Sequence, residues 1–131
     1  MIRIWTDGAC SGNPGPCAYG VLVIDGDGNH HVLGGFIGHG TSNIAEYTGM
    51  LAALDWLDEH GRYEKAIIHT DSQLVAFRLN GAWKKKRSHV PHIQKLIEQA
   101  RSFLSVLPHV EIKWVPREKN WAADEIAARY L

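Results

Sequence analysis

Four carboxylates in this 131-residue chain stand where they could do chemistry together: Asp7, Glu46, Asp71 and Asp124. Asp7 follows the apolar-rich run Ile2–Thr6 and Asp71 follows Lys65–Thr70, so each reads as the residue at the C-terminal end of a strand. In open α/β sheets, sites gather at the carboxyl ends of strands. If those two strands are neighbours, the carboxylates face each other, repel, and shift each other's pKa. A divalent cation removes that conflict, and Mg²⁺ takes a few carboxylates while keeping several waters. Glu46 lies in the first turns of a helical stretch, at the edge of its apolar stripe. Asp124 sits among Trp121, Ala122, Ala123, Ile126 and Ala127, where it is partly shielded. Taken singly, each residue also has an ordinary use. Asp7 and Asp71 suit loop capping or a helix start, and Glu46 and Asp124 suit solvent or the positive end of a helix dipole. One metal-binding cluster accounts for all four.

The elements that must position them follow from hydrophobic period. Ile2–Thr6 is a strand, residues 7–17 form a Gly/Pro/Asn/Ser-rich loop, and Ala18–Ile24 is a second strand. Asp25-Gly26-Asp27-Gly28-Asn29 is a hairpin signal, after which His31–Ile37 returns as a third strand. The period then changes. Thr41-Ser42-Asn43 offers N-cap residues, and Ile44, Tyr47, Leu51, Leu54 and Leu57 follow at helical spacing up to Gly61. Lys65–Thr70 is a buried-type strand, and Asp71-Ser72 opens a helix reaching about Leu79. Residues 82–91 form a basic loop, His92–Val106 is helical, Val110–Val115 is a fifth strand, and Asn120–Tyr130 is a last helix. The order βββαβααβα predicts an α/β domain over residues 1–131. Its antiparallel meander is extended by two parallel strands into a mixed sheet.

Composition sets the wider bounds. The chain is 45% hydrophobic and 21% charged, with a net charge of zero. Its charges are unevenly placed: residues 1–79 hold 4 Lys/Arg against 9 Asp/Glu, a balance of −5, and residues 80–131 hold 10 against 5, a balance of +5. A metal-binding pole and a phosphate-binding pole would give this asymmetry, as would ordinary solvated faces. No run approaches the roughly 18 apolar residues of a membrane span. The N-terminus has no signal-peptide pattern, and no apolar stripe is left over once the core is assigned. A cytoplasmic monomer is expected. Cys10 and Cys17 are too few for a disulfide framework or a zinc site, so two free thiols are expected, with a local bridge across the Gly12–Gly15 loop as the alternative.

Four blocks carry a family resemblance. Thr6-Asp7-Gly8-Ala9-Cys10-Ser11-Gly12-Asn13-Pro14-Gly15-Pro16, Thr41-Ser42-Asn43-Ile44-Ala45-Glu46, Thr70-Asp71-Ser72-Gln73 and Asn120-Trp121-Ala122-Ala123-Asp124-Glu125-Ile126-Ala127 resemble the signature blocks of type 1 ribonuclease H, in the family's order. The resemblance covers nearly the whole chain. It implies a five-stranded mixed sheet of order 3-2-1-4-5 and a metal cluster on Asp7, Glu46, Asp71 and Asp124, with Asp7 bridging two Mg²⁺ ions (Mn²⁺ as the alternative). The implied activity is two-metal hydrolysis of the RNA strand of an RNA–DNA hybrid, leaving 5′-phosphate and 3′-hydroxyl ends. It implies minor-groove contacts at Asn13, Asn43 and Gln73, a DNA-strand phosphate contact at Thr41, and close backbone approach at Gly8.

Two features depart from the family's pattern. Many members carry a longer basic insertion with an extra helix where this chain has only a short loop between Asn80 and Pro91. Grip on substrate therefore falls to Lys84, Lys85, Lys86 and Arg87, beside Trp83. Many members also carry a histidine in the loop before the last carboxylate. Here that loop is Pro116-Arg117-Glu118-Lys119-Asn120, and Arg117 or Glu118 would take part of its role.

Overall fold

Alternation explains the central strand of the computed structural model, which describes residues 1–80 and 87–131. Ile2 and Ile4 are buried while Arg3 is exposed, because successive side chains of a strand point to opposite faces. This strand, β1 (Ile2–Cys10), pairs antiparallel with β2 (Gly15–Ile24), which pairs antiparallel with β3 (His30–Gly40). After helix α1 (Ser42–His60), strand β4 (Ala66–Thr70) pairs parallel with β1 on its other side. Helices α2 (Gln73–Leu79) and α3 (Pro91–Val106) lead to β5 (Val110–Trp114), parallel to β4, and helix α4 (Trp121–Ala128) follows. The sheet order is β3-β2-β1-β4-β5, as the resemblance implies.

One face of the sheet holds the main core. Ile2, Ile4, Val21, Val23, Ile68 and Ile112 pack with Tyr47, Met50, Leu54 and Leu57 of α1 and with Ile93 and Ile97 of α3. The opposite face is covered by α4 where β2 carries Gly20. A Cβ there would lie 2.6 Å from the Ala123 carbonyl oxygen, so glycine is what lets the helix rest on the strand.

The first loop differs from expectation. Residues 7–17 were expected to form one loop, yet β1 runs on to Cys10 and β2 begins at Gly15, leaving a turn of residues 11–14. The ladder continues through Asp7↔Gly20, Gly8↔Tyr19, Ala9↔Ala18 and Cys10↔Cys17. Polar and glycine residues hide the alternation here, while the backbone pairs regardless of side chain. The expected free thiols are corrected for the same reason. The longer hairpin sets Cys10 opposite Cys17 with Cα atoms 4.1 Å apart, and they form a disulfide. Lys84, Lys85 and Lys86 lie outside the described residues.

Candidate active site

Asp7 and Asp71 are brought together by the parallel register. Thr6 is paired with Thr70, so the next residue of each strand stands at the same level of the sheet. Asp71 does follow the last residue of β4. Asp7, expected at the end of its strand, lies instead within β1, at the row where pairing with β4 stops and pairing with β2 continues. It is only 4% exposed. The indole Nε1–H of Trp114, at the end of β5, donates to the Asp71 carbonyl oxygen at 3.1 Å and holds that segment against the sheet.

Glu46 arrives from α1. Thr41 caps this helix, its Oγ1 accepting from the Ile44 amide at 3.4 Å. The helix comes close to β1 because Gly8 has no side chain; a Cβ there would lie 2.5 Å from the Glu46 nitrogen. The Gly8 amide donates to Glu46 Oε1 at 2.9 Å, and the other carboxylate oxygen, Oε2, is buried without a partner.

Asp124 sits in the first turn of α4, its amide donating to the Asn120 carbonyl at 3.2 Å. It lines the same cleft of about 340 Å³ as Asp7, Glu46 and Asp71.

Asp7, Glu46 and Asp71 each place a carboxylate oxygen within 4.8 Å of the others. Burial, and then the charges of Glu46 and Asp71, push Asp7 up from 3.8 to about 10. Burial also raises Glu46 to about 7, against hydrogen bonds from Asp7 and the Gly8 amide that lower it. The pair thus holds a proton that a cation would displace. The donor set is all hard carboxylate oxygen, with one buried oxygen still lacking a partner, which fits Mg²⁺ or Mn²⁺. A larger concavity of about 740 Å³ beside α1 and α3 has Asp55 and Asp58 on its wall and, among the described residues, no such cluster.

The remaining expected residues divide. Gly8 and Arg117 line the cleft. Asn13 is anchored beside it, its Oδ1 accepting from the Ser42 amide at 3.1 Å. Thr41 is occupied as the helix cap, so Asn43, exposed in the first turn of α1, is not the capping residue. Gln73 is exposed at the start of α2. Glu118 is exposed in the short 3₁₀ turn Arg117–Lys119 and does not line the cleft. Arg87 is 3.6 Å from Glu98 in an exposed ion pair.

Sequence reasoning gave no role to Asn120 or Trp114. Asn120 is fully buried, and its Nδ2 donates to the Thr6 carbonyl at 3.0 Å, next to Asp7. A polar residue heading a helix beside a catalytic-type acid was the one available signal.

A family profile described as "Reverse transcriptase-like" matches residues 5–130. The chain is 39% identical to the bifunctional protein Rv2228c of Mycobacterium tuberculosis over 129 residues, 96% of this chain and 34% of that protein. It is 37% identical to ribonuclease HI of Halobacterium salinarum, covering 99% of this chain and 64% of that sequence. The chain therefore spans about a third of the mycobacterial relative and just under two thirds of the archaeal one. The crystal structure of RNase H1 from Halobacterium salinarum NRC-1 superposes with a TM-score of 0.86 at 36% identity, over 98% of this chain and 95% of that one. LC11-RNase H1, solved in complex with an RNA/DNA hybrid, superposes with a TM-score of 0.82 at 31% identity, over 99% and 96%.

Proposed function

The chain belongs to the ribonuclease H type 1 family, and on that premise we propose that it is an endonuclease hydrolysing the RNA strand of RNA–DNA hybrids, leaving 5′-phosphate and 3′-hydroxyl ends. The observation that carries this reading is the meeting of Asp7, Glu46 and Asp71 within 4.8 Å, with one Glu46 oxygen buried and unpartnered. The hybrid held by LC11-RNase H1, a protein of the same fold, supports the choice of substrate.

Asp7, Glu46, Asp71 and Asp124 would hold two Mg²⁺ ions, or Mn²⁺ in their place. Bound there, the ions supply the positive charge that activates a water and steadies the leaving oxygen of an in-line displacement at phosphorus. The protein's own part is preorganisation. The Gly8 amide fixes Glu46 through Oε1 and leaves Oε2 without a protein partner. The Trp114 indole fixes the backbone of Asp71. Arg117 presents a permanent cation at the cleft, where it attracts a phosphate and takes the part the missing loop histidine would play.

Choosing RNA requires reading a 2′-hydroxyl, which both donates and accepts. Asn13 uses its Oδ1 on Ser42 and keeps its Nδ2 donors for that group. Asn43 and Gln73 offer amides from the starts of α1 and α2, and Gly8 lines the cleft with backbone alone. Thr41, beside Asn13's anchor, faces the DNA-strand phosphate. Lys84, Lys85, Lys86 and Arg87 add phosphate contacts that set affinity more than chemistry. The domain acts as a monomer in the cytoplasm, and among the described residues no helix is long and apolar enough to cross a membrane.

The test is cleavage of an end-labelled hybrid with Mg²⁺ and its loss with EDTA. An RNA strand left intact in both samples overturns the enzymatic reading.

A further inference from the structure

We propose that Asn120 is a positioning residue for the carboxylate cluster, setting the gap between Asp7 and Asp124 and so the affinity of the site for its divalent ions. The inference rests on the metal reading above and assigns part of that site's geometry to a residue outside the cleft wall.

Three bonds converge on Asn120. Its side-chain Nδ2 donates to the Thr6 carbonyl oxygen at 3.0 Å, across 114 positions of sequence. Its backbone carbonyl accepts from the Asp124 amide at 3.2 Å, and its own amide donates to the Arg117 carbonyl at 3.0 Å. Thr6 is the residue before Asp7 on β1, and Asp124 is one turn down α4. A single buried residue therefore ties the backbone that carries Asp7 to the backbone that carries Asp124. It also ends the turn that places Arg117 at the cleft.

The side chain does no other visible work. It does not cap α4, whose start is made by backbone bonds alone. Asn120 is wholly buried, and its Oδ1 accepts no hydrogen bond. An amide with an unmatched acceptor is a costly way to fill space, since an apolar side chain would bring no unpaired acceptor of its own. What the amide provides is one directional donor to β1. Asp124 and Asp7 line the same cleft on either side of this junction. Glu46 and Asp71 have tethers of their own in the Gly8 amide and the Trp114 indole. For Asp124 the corresponding tether is indirect, through Asn120. Groups behind a metal's ligands that orient them typically change metal affinity by about 10–100-fold when removed.

The experiment is Mn²⁺ binding by calorimetry, without nucleic acid, to the whole protein and to Asn120→Leu and Asn120→Ser. Leucine keeps the branched outline, with bulkier ends, and loses the donor. Serine suits a helix start and is too short to reach Thr6, so it supplies the measurement if the leucine variant does not fold. Circular dichroism and a cooperative melt establish folding. The expected result is Mn²⁺ affinity weakened by at least about tenfold in a folded variant. Asp124→Asn alone should weaken it too, and adding the Asn120 substitution to Asp124→Asn should cost little more. That non-additivity marks a residue acting through Asp124, where a general loss of packing would add in full. A folded variant that binds Mn²⁺ as the unsubstituted protein does, or full additivity with Asp124→Asn, overturns the positioning role alone. Unsubstituted protein that binds no Mn²⁺ overturns the metal reading and this inference with it.

Discussion

Replacing Asp7 by asparagine should destroy the proposed activity and yet stabilise the metal-free fold at neutral pH. Asp7 is buried against Glu46 and Asp71, and its pKa is pushed from 3.8 to about 10. An acid whose folded-state pKa is raised makes the folded state hold the extra proton. Stability is therefore fullest below about pH 3.8, falls as pH rises, and reaches its floor near pH 10. At pH 7 roughly three pH units of that window have been crossed, at about 1.36 kcal/mol each, giving a ceiling of about 4 kcal/mol. Part of the cost stays with Glu46, itself raised to about 7, so a gain of about 2–4 kcal/mol is the working figure for Asp7→Asn. For a domain of this size that is a rise of roughly 5–15 °C in melting temperature. The assay is thermal unfolding in EDTA at pH 4 and pH 7. The variant and the parent should melt together at pH 4 and separate at pH 7. Adding Mg²⁺ should close the gap, because ligand binding stabilises only the protein that keeps the site. An Asp7→Asn variant that is less stable than the parent at pH 7 in EDTA would refute the electrostatic account of the cluster.

Asp71→Asn should reduce hybrid cleavage to background while leaving the melt cooperative, and an active, folded variant would remove Asp71 from the metal set. Gly20→Ala should destabilise by about 1–3 kcal/mol, because the new Cβ meets the Ala123 carbonyl oxygen at 2.6 Å. It should also slow cleavage by lifting Asp124 away from Asp7; unchanged melting and rate would show that α4 does not depend on that contact. Neutralising Lys84, Lys85, Lys86 and Arg87 together should weaken hybrid binding and flatten its dependence on log salt, by a slope of about 0.9 per lost phosphate contact. Filter binding from low to moderate salt measures this, and an unaltered slope returns the run to a solvated loop.

The residues that follow from strand-end logic were the most legible. Asp7 and Asp71 stand out because apolar runs end beside them, and the parallel register of β1 and β4 makes them neighbours. Thr41, within the expected capping triplet, proved to be the cap of α1. Glu46 and Asp124 needed the family pattern, since helical periodicity alone leaves their carboxylates equally suited to solvent. The hairpin from Asp7 to Gly20 was hidden, because backbone pairing tolerates Gly, Ser and Pro near a turn and a reading by hydrophobic alternation does not register it. The Cys10–Cys17 bridge was lost with it. Asn120 left only a faint local signal, at the head of a helix beside an acid. Its importance lies in burial and in a bond across 114 positions, and no local pattern encodes either.

The parallel pairing of β1 with β4 also bears on when the cleft comes into being. Strand β1 precedes its partners along the chain, so one of its edges must wait for residues 66–70, and its last acidic neighbour waits for residue 124. Pairings so distant along the chain form late and slowly, since loop closure must precede them. A partly made copy can build the β1–β3 meander and α1, yet it cannot gather the four acids. The cleft is therefore complete only once α4 settles onto Gly20.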